Sequence, residues 1–403
     1  MKFITSFLIC TLLVTFSCKE GKEKTINTET EETTELTEKE TAFFTASPQA
    51  VPEQEVNTLK IGEKAPDFKL PGVDGKFHSL AEYDGSDVLV IIFTCNHCPT
   101  AQAYEDRMIQ LTTDYKNKGV QVIAISPNSI NGILLNELGY SDLGDSFEDM
   151  IIRTKDKGYN FPYLYDGDTH TASLKYGPVA TPHSYVFNKE RKLTYVGRLD
   201  TSEKPGSANA DDLRNAIDAT LNGTPIAEPV TKTFGCSVKW AWKDKYAKKV
   251  NKEWKEKPVS IAEIDAKGIK ALFKNDSDKL RLINLWATWC GPCVQEYPDF
   301  VDIHRMYSLR DFEFTSISAD NLNAKDRALK FLQKQHSVLD NYIYAEGDKY
   351  KMIEAVDPEW NGALPYTALV APGGEIIYRK MGSIDAFELR KAIVEHPMIG
   401  RYY

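Results

Sequence analysis

The chain alternates short, continuous apolar runs with longer stretches in which apolar residues recur at helical spacing. Runs such as "VLVIIF", "VQVIAIS", "LRLINLW" and "FEFTSIS" have the length and β-branched composition of buried strands. "PTAQAYEDRMIQL", "DDLRNAIDATL" and "DAFELRKAIVEH" instead read as amphipathic helices. From about Leu59 the order is strand, Cys-x-x-Cys, helix, strand, long helical segment, X-Pro, hairpin and helix, and it occurs twice. The two hairpins carry turn residues of the expected kind, "NKERK" in one and Pro372-Gly373-Gly374 in the other. A repeat of this size is a duplicated domain. Strand–helix–strand alternation predicts a parallel βαβ portion, to which each late hairpin adds antiparallel strands.

A chain of 403 residues has room for two such domains. Its beginning is of another kind. "MKFITSFLICTLLVTFSC" has a lysine and an apolar stretch of signal-peptide length, too short for a convincing membrane-spanning helix. Ser17-Cys18 resembles the lipobox of bacterial lipoproteins, with Thr15 and Phe16 departing from its usual residues. The expectation is a signal peptide over 1–17 and a lipid anchor on Cys18, facing the periplasm from the inner or outer membrane of the bacterial cell envelope. The Glu- and Thr-rich segment 18–57 has almost no aliphatic residues and reads as a disordered acidic spacer. Net charge is −9 and there is no basic stripe with stacking aromatics, which argues against nucleic acid as a partner.

Export sharpens the reading of the cysteines. Cys10 leaves with the signal, so Cys95/Cys98, Cys290/Cys293 and a lone Cys236 remain beside Cys18. A Cys-x-x-Cys at a strand-to-helix junction is half a metal clip, a structural disulfide or a pair that exchanges electrons. Closing so short a loop removes little unfolded-state entropy, so these pairs are not staples. The first cysteine of each pair sits where a helix is expected to begin, facing unpaired N–H groups that favour the thiolate. Cys95 and Cys290 are therefore the expected nucleophiles, with Cys98 and Cys293 as resolving thiols. Thr181-Pro182 and Leu364-Pro365 each precede a strand.

These residues carry a resemblance. "NLWATWCGPCVQEYP" with the later "LPYT" resembles the envelope thioredoxins of the TlpA/ResA type. "FTCNHCP", "DSFEDM", "FPYLYDG", "YGPVATPHSYVF" and "GCSVKW" resemble the redoxin, peroxiredoxin-related AhpC/TSA-like domains. The resemblance implies an α/β fold class: two thioredoxin-like domains, each a mixed central sheet flanked by helices, over 58–238 and 258–403, joined by a helical connector over 239–257. It implies a thiol–disulfide oxidoreductase whose partners are protein thiols and disulfides and an upstream redox protein, with no cofactor and no metal. In that fold Pro182 and Pro365 are cis, lie against the cysteines, prevent metal capture and help dock a substrate chain. Glu296 matches the acidic residue that handles protons near the disulfide, a role that needs a raised pKa. Asn284 stands where thioredoxins proper have a buried Asp, and Ala101 is the counterpart of Glu296 in the first half.

Further expectations concern single residues. His97 sits between the first pair of cysteines, where its ring stabilises the thiolate and so makes that pair the more oxidising. Cys236 either exchanges disulfides with Cys95/Cys98 or fixes the end of the domain as a buried thiol. His183, after Pro182, faces substrate or is a plain strand residue. Trp242, Tyr246, Val250 and Trp254 form one apolar stripe with lysines around it, which touches anionic lipid or, the favoured reading, packs on a domain and sets the mutual orientation of the two. The segment 128–158 borders the first pair and shapes access to it, or is a surface loop. Two other activities remain open. A peroxidase needs Pro-x-x-x-Thr-x-x-Cys, and Val88 and Ile91 occupy the proline positions. Zinc or copper could be held by thiolates, although each pair has its own strand, helix and X-Pro.

Overall fold

The computed structural model describes residues 44–204 and 206–400. The signal segment, Cys18 and the first part of the acidic spacer lie outside the described residues.

The first half opens with a small hairpin, β1 (Lys69–Pro71) and β2 (Phe77–Ser79), followed by β3 (Val88–Phe93). Then come helices α1 (Pro99–Ala103) and α2 (Glu105–Tyr115), strand β4 (Val120–Ser126), α3 (Phe147–Lys157), β5 (Tyr163–Tyr165) and α4 (Ser173–Tyr176). The half ends with β6 (Ala180–Thr181), β7 (His183–Phe187), β8 (Leu193–Gly197), α5 (Asp211–Asn222) and the short β9 (Cys236–Ser237). The main sheet runs β5-β4-β3-β7-β8. β3 lies parallel to β4 and antiparallel to β7, as the alternation of elements requires.

Every residue of β3 is buried, because the sheet is covered on both faces. Its two-residue period divides the core. Val88, Val90 and Ile92 meet Tyr104, Met108 and Leu111, whereas Leu89, Ile91 and Phe93 meet Tyr176 and Tyr185. Order begins ahead of residue 58: the ring of Phe44 lies 4.9 Å from that of Phe147, and the Ser47 and Gln49 N–H groups donate to Asp168. Phe44 and Ala46, packed on the core, and the two hydrogen bonds to Asp168 seat this part of the spacer on the first half.

A connector helix, α6 (Asp244–Lys255), leads to the second half. There the order is β10 (Ala262–Ile264), α7 (Ala266–Lys274), β11 (Leu280–Trp286), α8 (Gly291–Tyr307), β12 (Phe312–Ser318) and α9 (Lys325–Lys334). β13 (Asp340–Tyr344), α10 (Lys349–Val356), β14 (Tyr366–Val370), β15 (Ile376–Met381) and α11 (Ala386–Glu395) complete it. The sheet order is β10-β13-β12-β11-β14-β15, with β11 parallel to β12 and antiparallel to β14. Both halves thus place a Cys-x-x-Cys after the strand at the heart of a mixed sheet.

The halves pack on each other. Leu138, in the segment between β4 and α3, is buried in the core formed by Phe300, Ile303, Met306 and Tyr307 of the second half. Tyr307 Oη donates to the Ser141 carbonyl at 2.9 Å. The connector bridges the two. Trp240 stacks on Trp242 beside His170, while Trp254 packs on His304 and donates to the His336 carbonyl. The expected stripe is interrupted at Tyr246, which is exposed, since Ala247 turns inward instead. Among the described residues no helix is long and apolar enough to cross a membrane.

Candidate active sites

In the second half β11, buried at every position but Arg281, delivers Cys290 to the start of α8. Cys290 is the N-cap of that helix, and its Sγ accepts from the Cys293 N–H at 3.3 Å. The two cysteines are joined in a disulfide. Trp289, next to Cys290, is 64% exposed, while Cys293 is sealed in a cluster with Trp286, Ala287 and Tyr297. Leu364 packs on the same cluster, and the Leu364–Pro365 bond is cis. Cys290 lies in the same cluster and is itself 6% exposed, so the exposed Trp289 beside it marks the side from which its sulfur is nearest to solution.

Glu296 lies one helical turn beyond Cys293 and is buried. Its Oε2 accepts from the Ile384 N–H at 2.9 Å, and its Oε1 is buried without a partner. Burial pushes its pKa up from 4.5 to about 7, against the lowering effect of the Ile384 and Ser383 hydrogen bonds. A carboxyl with that pKa can give or take a proton at neutral pH. Asn284 is buried on β11 and donates to Thr367 Oγ1.

The first half is built differently. Its helix α1 begins at Pro99, so the N-cap is Cys98, not Cys95. Proline favours the first helical position, where no N–H is needed, and in "CNHCP" that position follows the second cysteine. Cys95 and Cys98 are both thiols and both buried. Cys95 Sγ lies 3.1 Å from Thr181 Oγ1, and Cys98 Sγ lies 3.2 Å from the Thr181 carbonyl, beside the cis Thr181–Pro182 bond.

The surroundings act on the two thiols in opposite directions. Burial, the hydrogen bond to Cys98 and the charge of Asp145 push the Cys95 thiol well above its ordinary range. Burial also opposes ionisation of Cys98. Hydrogen bonds from Cys236 and Cys95, the His97 charge and the Ala101 N–H outweigh it and hold Cys98 well below the usual thiol range. Of the two thiols, Cys98 is thus the one whose surroundings favour ionisation.

The positive charge comes from a buried pair. His97 Nδ1 lies 2.6 Å from Asp145 Oδ2, with both side chains almost wholly shielded from solvent. Burial disfavours the imidazolium, but the carboxylate more than compensates and raises the His97 pKa. Asp145 also accepts from the Asn96 and His97 N–H groups and from Asn128 Nδ2. Asp145 belongs to "GDSFEDM", so the segment 128–158 enters the site itself. Sequence spacing gave no sign that this aspartate reaches His97, because the contact spans two elements. Cys95, His97 and Asp145 also bring their ligand atoms within 4.8 Å of one another.

Two further residues depart from expectation or exceed it. His183 is buried, lies 3.2 Å from Tyr185 Oη, and desolvation lowers its pKa to about 4. It is a buried strand residue, neutral at ordinary pH. Cys236 is partly exposed and packs on Cys95, Cys98 and Ala101.

Comparison with known proteins agrees with this architecture. Residues 61–196 match the AhpC/TSA family and residues 271–392 match Redoxin. The thiol-disulfide oxidoreductase ResA of Oceanobacillus iheyensis is 25% identical over 138 residues, which are 32% of this chain and 57% of ResA. The thiol:disulfide interchange protein DsbE of Allochromatium vinosum is 30% identical over 127 residues, 31% of this chain and 62% of DsbE. The chain thus spans less than two thirds of the length of these two relatives. A solved structure of an uncharacterized conserved protein from Geobacillus kaustophilus is 35% identical, covers 48% of this chain and 98% of its own, and has a TM-score of 0.41.

Proposed function

We infer that this chain, with an AhpC/TSA-family domain in its first half and a Redoxin domain in its second, is a thiol–disulfide oxidoreductase of the bacterial cell envelope. Its substrates are protein thiols and disulfides, and it is tethered through lipid on Cys18 with the folded part outside the cytoplasm. The observation that carries the reading is the Cys290–Cys293 disulfide at the head of α8, beside exposed Trp289 and with buried Glu296 behind it.

In the reductive direction the Cys290 thiolate attacks one sulfur of a substrate disulfide, and the other sulfur leaves as a thiolate. Cys293 gives up its proton, attacks Cys290 Sγ and releases the second substrate thiolate, closing the Cys290–Cys293 disulfide. Glu296, poised near neutrality, takes the Cys293 proton and returns it to the leaving thiolate. The first pair differs in holding a stabilised thiolate, and a dithiol whose reduced form is stabilised is the better oxidant. Electrons accordingly run from Cys290/Cys293 towards Cys95/Cys98.

The test is reduction of insulin disulfides by the mature chain with dithiothreitol as donor. Catalysis is expected in the wild type and loss of most of it in Cys290→Ser. A rate equal to dithiothreitol alone in the wild type overturns the reading.

A further inference from the structure

The most unusual contact in the first half is made by the strand that carries Cys236. β9 pairs antiparallel with β6, and the register sets Cys236 directly opposite Thr181. Thr181 is the residue before Pro182 and touches both cysteines of the site. The backbone edge at Thr181 is thus the place where an extended peptide would add as a strand and present its own sulfur. Here the chain's own segment occupies it.

The fit is close. Gly235 has φ 134°, and a Cβ at that position would lie 2.1 Å from the Thr181 carbonyl oxygen, so only glycine lets the strand approach this far. Thr233 Oγ1 donates to the Pro182 carbonyl at 2.9 Å. The Cys236 N–H donates to Cys98 Sγ at 3.3 Å. In the second half, by contrast, β14 begins at Tyr366, and among the described residues no strand pairs with Leu364. One docking edge is open and the other is filled.

Cys95 and Cys98 are 3% and 0% exposed, whereas Cys236 is partly exposed. Cys98 therefore stands between a buried sulfur and an accessible one, in contact with both. We propose that Cys236 is a third redox-active cysteine, seated on the first site as an internal substrate, and that the Cys95/Cys98 pair exchanges with outside protein thiols through it. This rests on the reading of the first half as a disulfide-exchange site.

The step balances without an added oxidant. With Cys95–Cys98 oxidised, the Cys236 thiolate attacks Cys98 Sγ. The Cys98–Cys236 bond forms, the Cys95–Cys98 bond breaks, and Cys95 leaves as a thiolate that takes the proton Cys236 gave up. An outside protein thiolate then attacks Cys236 Sγ, releasing Cys98 as the stabilised thiolate. The outside protein is left in a mixed disulfide with Cys236, which its second thiol resolves. The hydrogen bond to Cys98, burial and the Cys98 charge together hold the Cys236 proton in place; the first and last vanish once Cys98 is in a disulfide, while burial remains.

The experiment uses the mature chain carrying Cys290→Ser and Cys293→Ser, equilibrated in glutathione buffer, quenched in acid, alkylated and mapped by peptide mass spectrometry. Adding Cys95→Ser is expected to trap a Cys98–Cys236 disulfide, and adding Gly235→Ala to that variant is expected to abolish it. In the chain that keeps Cys95, Cys236→Ser or Cys236→Ala is expected to slow exchange with a reduced protein substrate by at least about tenfold. Diamide should still close the Cys95–Cys98 disulfide in these variants. Free, alkylated Cys98 and Cys236 in the Cys95→Ser chain, or an unchanged exchange rate without Cys236, overturns the proposal while Cys95–Cys98 still forms. Failure of Cys95–Cys98 to form under diamide removes instead the reading on which the proposal rests.

Discussion

Glu296→Gln isolates one buried proton, and its effect on stability has a definite sign. In the unfolded chain the carboxyl titrates near its ordinary 4.5, and in the folded protein it titrates at about 7, chiefly because it is desolvated. Below pH 4.5 it is protonated in both states and contributes no pH-dependent cost. Between 4.5 and 7 the unfolded form ionises first, so stability falls as pH rises, and above 7 the cost is constant. That separation corresponds to about 3 kcal/mol. Glutamine keeps an acceptor for the Ile384 N–H, and its unpartnered amide adds an offset that does not vary with pH. The informative quantity is therefore the difference between variant and wild type at two pH values. By calorimetry on the oxidised chain, the unfolding midpoint is expected to gain roughly 4–5 °C in the variant, relative to wild type, between pH 4 and pH 8. Parallel midpoints at the two pH values refute the reasoning, because they require the carboxyl to titrate alike in folded and unfolded chains.

Four other outcomes follow from the same geometry. His97→Asn removes the charge that favours the Cys98 thiolate, so its titration, followed by thiolate absorbance in the Cys95→Ser/Cys290→Ser/Cys293→Ser chain, is expected to move upward in pH. Asp145→Asn leaves His97 buried without its carboxylate and removes the charged acceptor of two N–H groups, and denaturant unfolding is expected to show a loss of about 3–5 kcal/mol. Redox titration against glutathione in single-pair variants is expected to place Cys95/Cys98 at least about 30 mV above Cys290/Cys293, and equal potentials refute the direction of electron flow. Tyr307→Phe takes away the hydrogen bond to the Ser141 carbonyl and is expected to cost about 1 kcal/mol by the same unfolding assay.

The two sheets were legible because strand composition, Cys-x-x-Cys, X-Pro and hairpin recur in one order, and each is a local signal. In the second half the Cys290/Cys293 pair is read from its place at a strand-to-helix junction, whereas the parts given to Glu296 and Pro365 come from the resemblance of "WCGPCVQEYP" and "LPYT" and not from spacing. The first site was less legible. Pro99 marks the true start of its helix, a signal present in "CNHCP" that shifts the N-cap from Cys95 to Cys98. Asp145 and Cys236 reach the cysteines from distant segments, through contacts that only the folded chain defines. Tyr246 shows the opposite error, since a position on an apolar stripe does not fix which way a side chain faces, and for His183, where two readings stood open, burial favours the plain strand residue.

The segment between β4 and α3 bears on how the molecule can be taken apart. Its Leu138 fills the core of the second half, with Ile133 and Leu135 packed beside it, while its Asp145 supports the imidazolium next to Cys98. Each half looks self-sufficient in its strand count, yet the first half cut free would present those three aliphatic side chains to water. A gene split at the connector would then yield a fragment prone to self-association, with the loop that charges its own cysteine left unbraced. Modularity here belongs to the ancestry of the chain; the molecule that resulted is no longer divisible along that line.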